Sequence, residues 1–252
     1  MSERILTALP VYNEQSHVAE VISEVLLHVE EVLVVDDGST DSTSEILARQ
    51  FPQVHMIRHE RNLGYGAALK SAFDFSLRCG FDVLVTMDCD GQHQPQFLRE
   101  IAAQLCEGNI AFDMVSGSRY LKSFGENTLP PEDRRAINRR ITNCLNEQLG
   151  FNLTDAFCGF KAYRVSSLAD LDITDNGYAM PLQLWVQASD LRWRVTEFPV
   201  PLVYLDEARS FGGSLDDATI RMNHYRSVLN AELERRGMHQ RFTSDCGSSG
   251  AK

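Results

Sequence analysis

The stretch MDCDGQHQP, residues 87–95, sets two carboxylates, Asp88 and Asp90, on either side of one cysteine, directly after the apolar run Val83-Leu84-Val85. Ionised carboxylates that close repel each other unless a cation, a proton or a hydrogen-bond donor compensates them. Side chains alternate along a continuing strand, so one cation is held most easily where the strand breaks, at Gly91, with Gln92 or His93 nearby. Oxygen ligands with open positions suit Mg²⁺ or Mn²⁺, which keep water and take phosphate oxygens as their remaining ligands. The plainer alternative is two strand-end aspartates capping the turn that follows.

Other polar clusters raise the same question. In VVDDGSTDS, Asp36 and Asp37 end an apolar run where a cap needs only one such residue, and a carboxylate there can accept hydrogen bonds from nucleobase N–H groups. GYG in RNLGYGAAL is half of a dinucleotide fingerprint with the wrong spacing to a third glycine, and reads as close backbone approach at a helix start. Arg119, in GSRY, and Arg209, in a glycine-bearing loop, are the candidates for gripping a diphosphate, because guanidinium forks match phosphate oxygens.

The elements that must position these residues alternate. Short apolar runs predict strands at 5–9, 32–35, 54–58, 83–87 and 114–116, separated by helical patterns. Val18, Val21, Ile22, Val25, Leu26 and Val29 form one helical stripe, Ser42 and Glu45 have capping-box spacing, and further helices fall near 66–79 and 95–107. The sequence therefore predicts an α/β fold with a mainly parallel, Rossmann-like central sheet flanked by helices, in a single domain with a helical C-terminal part. In such sheets ligands bind at the carboxyl ends of the strands, and PVYNE, DDGSTD, RNLGYG, DCDGQH and GSRY follow five successive strands. Further on come a basic helix (RRAINRRITNCLNEQLG), DAFCGFKAY, a helix around 178–190, a strand at 195–198 and an amphipathic helix near 215–236. Residues 241–252 read as a disordered tail.

The chain has 252 residues, 43% of them hydrophobic, with a formal net charge of −11. That charge excludes a broad nucleic-acid surface, which needs basic residues against phosphate. No run approaches the roughly 20 apolar residues of a membrane span, and MSERILTALP lacks the basic and apolar regions of a signal peptide. The reading is a cytoplasmic protein. Six scattered cysteines without a CxxC read as reduced packing thiols.

Taken in order, PVYNE, VVDDGSTD, RNLGYGAAL, DCDGQHQP, GSRY and DAFCGFKAYR resemble the family 2 glycosyltransferases of the GT-A fold, and within them the dolichol- or polyprenyl-phosphate mannose synthase-like branch, over roughly residues 4–215. The resemblance implies one domain over 1–240, with a nucleotide-sugar-binding half (1–120) and an acceptor half (121–240). It implies that Pro10, Tyr12, Glu14, Val35 and Asp37 hold the nucleoside, with Gly66, Asp88, Cys89, Asp90 and Arg119 completing the nucleotide-sugar set. Asp88, Asp90 and Gln92 would hold Mg²⁺ or Mn²⁺, and Asp90, Asp155, Arg119 and Arg209 would form the catalytic set. The implied reaction is inverting transfer of a hexose from a nucleotide-diphospho-sugar, GDP-mannose or UDP-glucose, to polyprenyl or dolichyl phosphate.

A hydroxyl acceptor would need a general base, for which Asp155 is the nearest family-matched carboxylate; a phosphate acceptor is already anionic. The chain departs from the pattern at Gln183, where many relatives carry a helix glutamate, and at Lys161 of CGFK, where mannose synthases typically have arginine. Alternatives are transfer to a soluble sugar, metabolite or protein, and a catalytically silent nucleotide-sugar-binding subunit. A nucleotidyltransferase is disfavoured, because LPVYNEQSHVAE stands where a glycine- and lysine-rich loop belongs. A lipid acceptor would require peripheral contact with the inner face of the membrane, for which Arg134, Arg135, Arg139 and Arg140 are candidates if they are more than a solvated helix face.

Overall fold

The computed structural model describes residues 3–106, 111–125, 131–203, 215 and 217–247. Seven strands form one sheet: β1 (Ile5–Val11), β2 (Val32–Asp36), β3 (His55–Arg58), β4 (Val83–Thr86), β5 (Met114–Ser118), β6 (Lys161–Arg164) and β7 (Val195–Pro199), in the order β3-β2-β1-β4-β6-β5-β7. Every neighbouring pair is parallel except those of β6, which runs antiparallel to both β4 and β5. The α/β class, the mainly parallel sheet and the flanking helices are as the sequence predicts. β6 is the strand that the periodicity did not reveal: it is four residues long and begins directly after CGF, whose Cys158 and Phe160 are buried.

The strands show why the sheet must be covered on both sides. In VLVVD of β2 all five residues are buried. Val32 and Val34 enter one core with Leu9, Val11, Val83 and Val85, while Leu33 and Val35 enter the other with Leu6, Ala8 and Leu84. That is the two-residue period of a strand sorted onto two faces. The first face is closed by α1 (Val18–His28), α2 (Thr43–Gln50) and α4 (Leu98–Ala103). The second is closed by α3 (Tyr65–Arg78), α5 (Glu132–Leu149), α6 (Val165–Leu168), α7 (Met180–Asp190) and α8 (Ala218–Arg235).

Three local expectations are corrected. The Ser42–Glu45 capping box does not form; Asp41 caps α2 by accepting the Thr43 N–H at 2.9 Å, and the Ser44 hydroxyl donates to Asp36 instead. Residues 241–247 are not disordered: Phe242 and Cys246 are buried, Asn230 exchanges two hydrogen bonds with the Phe242 backbone, and Arg140 donates to the Ser244 and Cys246 carbonyls. The four arginines of α5 do not form a free cationic face. Arg135 and Arg139 share Glu132, Arg140 holds the tail, and Arg134 lines the central cavity. Among the described residues no helix is long and apolar enough to cross a membrane.

Candidate active site

All five polar clusters line one cavity of about 730 Å³ at the carboxyl edge of the parallel strands. Pro10, Tyr12, Glu14, Asp37, Asp88, Cys89, Asp90, Gln92 and Arg119 all border it. Because β6 is antiparallel, its leading residues Cys158 and Gly159 arrive at the same edge.

The end of the cavity formed by PVYNE and DDGSTD is braced from within. Asn13, held at φ 55°, takes the Thr40 and Asp41 N–H groups on its side-chain oxygen. Asp37 accepts from His59 Nδ1 at 2.6 Å, Leu63 N at 2.9 Å and Gly64 N at 2.7 Å. A carboxylate offers about four acceptor sites, so Asp37 is first a brace for the loop leading into α3, with little capacity left for a base. Two residues expected to contact the nucleotide do not line the cavity. Val35 is wholly buried in the core, and Gly66 packs against the 175–176 backbone, where a Cβ would come within 2.6 Å of the Asp175 carbonyl. The close approach read from GYG is real, but its partner is the chain itself.

β4 ends at Thr86, before the acidic pair, so the strand does not run on to Gly91 as expected; Gly91 lies at φ 75° in the loop that follows, and Asp90 Oδ1 accepts the Gln92 N–H at 3.0 Å. Asp88 Oδ1 accepts the Tyr65 hydroxyl at 3.1 Å, and the Asp88 N–H donates to His93 Nδ1 at 3.1 Å. Burial raises the Asp88 pKa, with Asp90 adding to the shift and His93 opposing it. No group of three or more His, Cys, Asp or Glu side chains among the described residues is arranged to hold a metal alone. The donor set nevertheless fits a hard cation completed by ligand oxygens: Asp88 and Asp90 carboxylates, the Gln92 amide, and at residue 159 a glycine that leaves the space taken by the Asp88 carboxylate.

The structure pairs Asp155, expected as a general base, with Arg119. It is fully buried, does not line the cavity, and takes Arg119 Nε at 2.6 Å, Arg119 Nη2 at 3.0 Å, Asn138 Nδ2 at 2.8 Å and the Phe157 N–H at 3.1 Å. Burial alone would raise its pKa; the Arg119 charge and these hydrogen bonds reverse that and hold the carboxyl well below the usual range. Its geometry makes it the anchor that aims Arg119 into the cavity. Lys161 also borders the cavity but is almost wholly buried, its Nζ donating to Ser116 Oγ at 2.5 Å and lying 5.0 Å from the Trp185 ring centroid; burial lowers its pKa. Arg209 lies outside the described residues.

Gln183 does not line the cavity. Its amide N–H groups donate to Glu232 and Thr174 Oγ1, both at 2.9 Å, and its oxygen accepts the Thr174 and Asp175 N–H groups, joining α7, the 172–176 segment and α8. Restoring a glutamate here should therefore not raise turnover. Gln183→Glu would face the buried Glu232 carboxylate and is expected to destabilise the fold by about 1–3 kcal/mol. The introduced carboxyl's pKa would be raised, so the loss should deepen as pH rises above about 4.3, measured by thermal melts between pH 5 and 8.

The far lobe of the cavity was only partly foreseen. Beside Arg119 it gathers Arg134, Arg221, Asn138, Phe157 and Tyr225, with Phe157 and Tyr225 rings 5.2 Å apart. α5 and α8 supply four of these residues from opposite ends of the second half of the chain, and only Arg119 and Arg134 were singled out in the sequence.

The profile of the Glycosyl transferase family 2 matches residues 7–172. The undecaprenyl-phosphate mannosyltransferase of Micrococcus luteus is 33% identical over 232 residues, covering 88% of this chain and 93% of the relative. The polyprenol monophosphomannose synthase of Mycolicibacterium smegmatis is 32% identical over 209 residues, covering 79% of this chain and 77% of the relative. The crystal structure of glucosyl-3-phosphoglycerate synthase from Mycobacterium tuberculosis, in complex with Mn²⁺, uridine diphosphate and glucosyl-3-phosphoglycerate, matches with a TM-score of 0.70 at 20% identity, covering 94% of this chain and 81% of that one, a likeness of fold. On the family match and these two mannosyltransferase relatives, this chain is a glycosyltransferase that belongs to glycosyl transferase family 2, in its dolichol- or polyprenyl-phosphate mannose synthase-like branch.

Proposed function

We propose that the enzyme transfers a hexose, with inversion, from a nucleotide-diphospho-sugar to polyprenyl phosphate, with GDP-mannose or UDP-glucose as donor and Mg²⁺ or Mn²⁺ as cofactor. The observation that carries the acceptor is the composition of the far lobe. It gathers Arg119, Arg134 and Arg221 with Phe157, Tyr225 and Leu202, while the acidic residues that border the cavity, Glu14, Asp37, Asp88 and Asp90, belong to the clusters after β1, β2 and β4. An acceptor hydroxyl would need a base there, and the two carboxylates that touch these arginines among the described residues, Asp155 and Asp133, are ion-paired with Arg119 and Arg221. A phosphate brings its own negative oxygen as nucleophile, and arginines with aromatic and aliphatic neighbours suit an anionic head on an apolar tail. Tyr120 and Leu121, exposed beside this lobe, give such a tail a way out.

The donor end follows from the residues already described. The brace around Asp37 and Asn13 shapes the nucleoside site before any ligand arrives. Arg119, fixed by two hydrogen bonds from its guanidinium to Asp155, directs positive charge at the region where the departing diphosphate gains charge. A divalent cation held by Asp88, Asp90 and Gln92 would neutralise that diphosphate as a Lewis acid. Membrane contact would be peripheral and would not use the α5 arginines as a set.

The test is a thermal-shift series with nucleoside diphosphates and nucleotide sugars, with and without Mn²⁺, because a ligand bound only by the native state raises stability by mass action. The expected result is a metal-dependent shift for one base, abolished by Asp90→Ala. Transfer is then assayed to polyprenyl phosphate in detergent and to water-soluble hydroxyl acceptors. Turnover confined to the soluble acceptors would overturn the lipid-phosphate assignment.

A further inference from the structure

Tyr65 is the middle residue of GYG and the first of α3. Its backbone is fixed by its neighbours. Gly64 lies at φ 108°, and a Cβ there would meet the Asn176 carbonyl at 2.3 Å; Ala67 N–H donates to that same carbonyl at 3.2 Å. Its ring is fixed as well, stacked on Tyr178 with centroids 5.9 Å apart and planes inclined by 16°. With backbone and ring both placed, the hydroxyl has little freedom, and it points at Asp88 Oδ1, 3.1 Å away. The other side of the same carboxylate is bounded by Gly159, where a Cβ would fall 2.4 Å from Oδ2.

We propose that Tyr65 is a positioning residue: its hydroxyl fixes the rotation of the Asp88 carboxylate for divalent-cation binding. The inference rests on the metal-dependent reading of the site given above. Partners that orient a metal-ligating carboxylate lower the reorganisation needed on binding, and their removal typically costs about 10–100-fold in metal affinity. Tyr65→Phe isolates this effect, because it keeps the ring on Tyr178 and removes only the donor.

Mn²⁺ is titrated into wild type and Tyr65→Phe in the presence of saturating GDP or UDP, with bound metal read from the loss of the free Mn²⁺ electron paramagnetic resonance signal. The unliganded melting temperature of each protein is measured alongside. The expected result is about 10–100-fold weaker Mn²⁺ binding by the variant, with an unchanged unliganded melting temperature. Equal Mn²⁺ affinity in the two proteins overturns the role of Tyr65 while leaving the metal-dependent reading intact. A matched fall in unliganded stability would make Tyr65 a structural residue and also overturn the assignment. Absence of Mn²⁺ binding by wild type with either nucleotide removes the metal-dependent reading itself, and this inference with it.

Discussion

Asp155→Asn is expected to destabilise the protein by about 3–5 kcal/mol, the usual cost of removing one partner from a buried ion pair. The variant leaves Arg119 without its counter-charge while the Asn138 and Phe157 donors still point at residue 155. Arg119 then loses its fixed direction, so transfer should fall together with stability, and donor affinity with it. A general base behaves differently: its amide variant would keep stability and donor binding and lose only the turnover of hydroxyl acceptors. Denaturant unfolding and donor titration separate the two. The pH dependence adds a second check. Asp155 has a lowered folded pKa, so its stabilisation is complete above the unfolded value of about 3.9 and is lost as pH falls below it. The gap between wild type and variant should therefore be constant from pH 5 to 8 and close in more acidic solution.

Gly159→Ala is expected to lower metal-dependent transfer by about 100-fold or more, the scale associated with a 1 Å misplacement of a reacting group. Gly159 does not lie in the left-handed backbone region, so alanine meets no conformational penalty there. The effect must come from contact, since its Cβ would stand 2.4 Å from Asp88 Oδ2 and 2.8 Å from both Cγ and Oδ1. Asp88 would have to rotate away, against the hydrogen bond from Tyr65. Nucleotide binding without metal should survive. A variant with wild-type turnover and an unaltered Mn²⁺ requirement would show that this carboxylate is free to move without consequence.

What the sequence revealed, and what it did not, follows from the range over which each feature is encoded. Asp88, Asp90 and Asp37 stood out because charge at the end of an apolar strand is a contrast visible within a few residues. The packing of Gly64 and Gly66 was legible as close approach, but its partner, the 175–176 backbone, lies more than a hundred positions away. Asp155 shows the limit most clearly. Its family match suggested a base, and only the fold, by bringing Arg119 and Asn138 onto both of its oxygens, reveals an anchor. Tyr65 gave no signal because the glycines around it account for the motif, while its hydroxyl answers to a residue in the loop after β4, 23 positions away. The helix over 178–190 and the strand at 195–198 were read nearly to their ends, since both carry their own periodicity; β6, with four residues that run directly into α6, does not.

The placement of β6 bears on how the polypeptide can be assembled. Residues 161–164 sit between β4 and β5, so a fragment ending near residue 120 would have a gap at the centre of its sheet and two unsatisfied strand borders facing it. On the ribosome, β5 has no neighbour in the sheet until β6 and β7 have emerged, so more than half of the chain must be synthesised before the sheet can close. Cutting the enzyme into a donor module and an acceptor module should accordingly give aggregation-prone pieces, and circular permutation, which keeps every strand, is the more promising way to rearrange it.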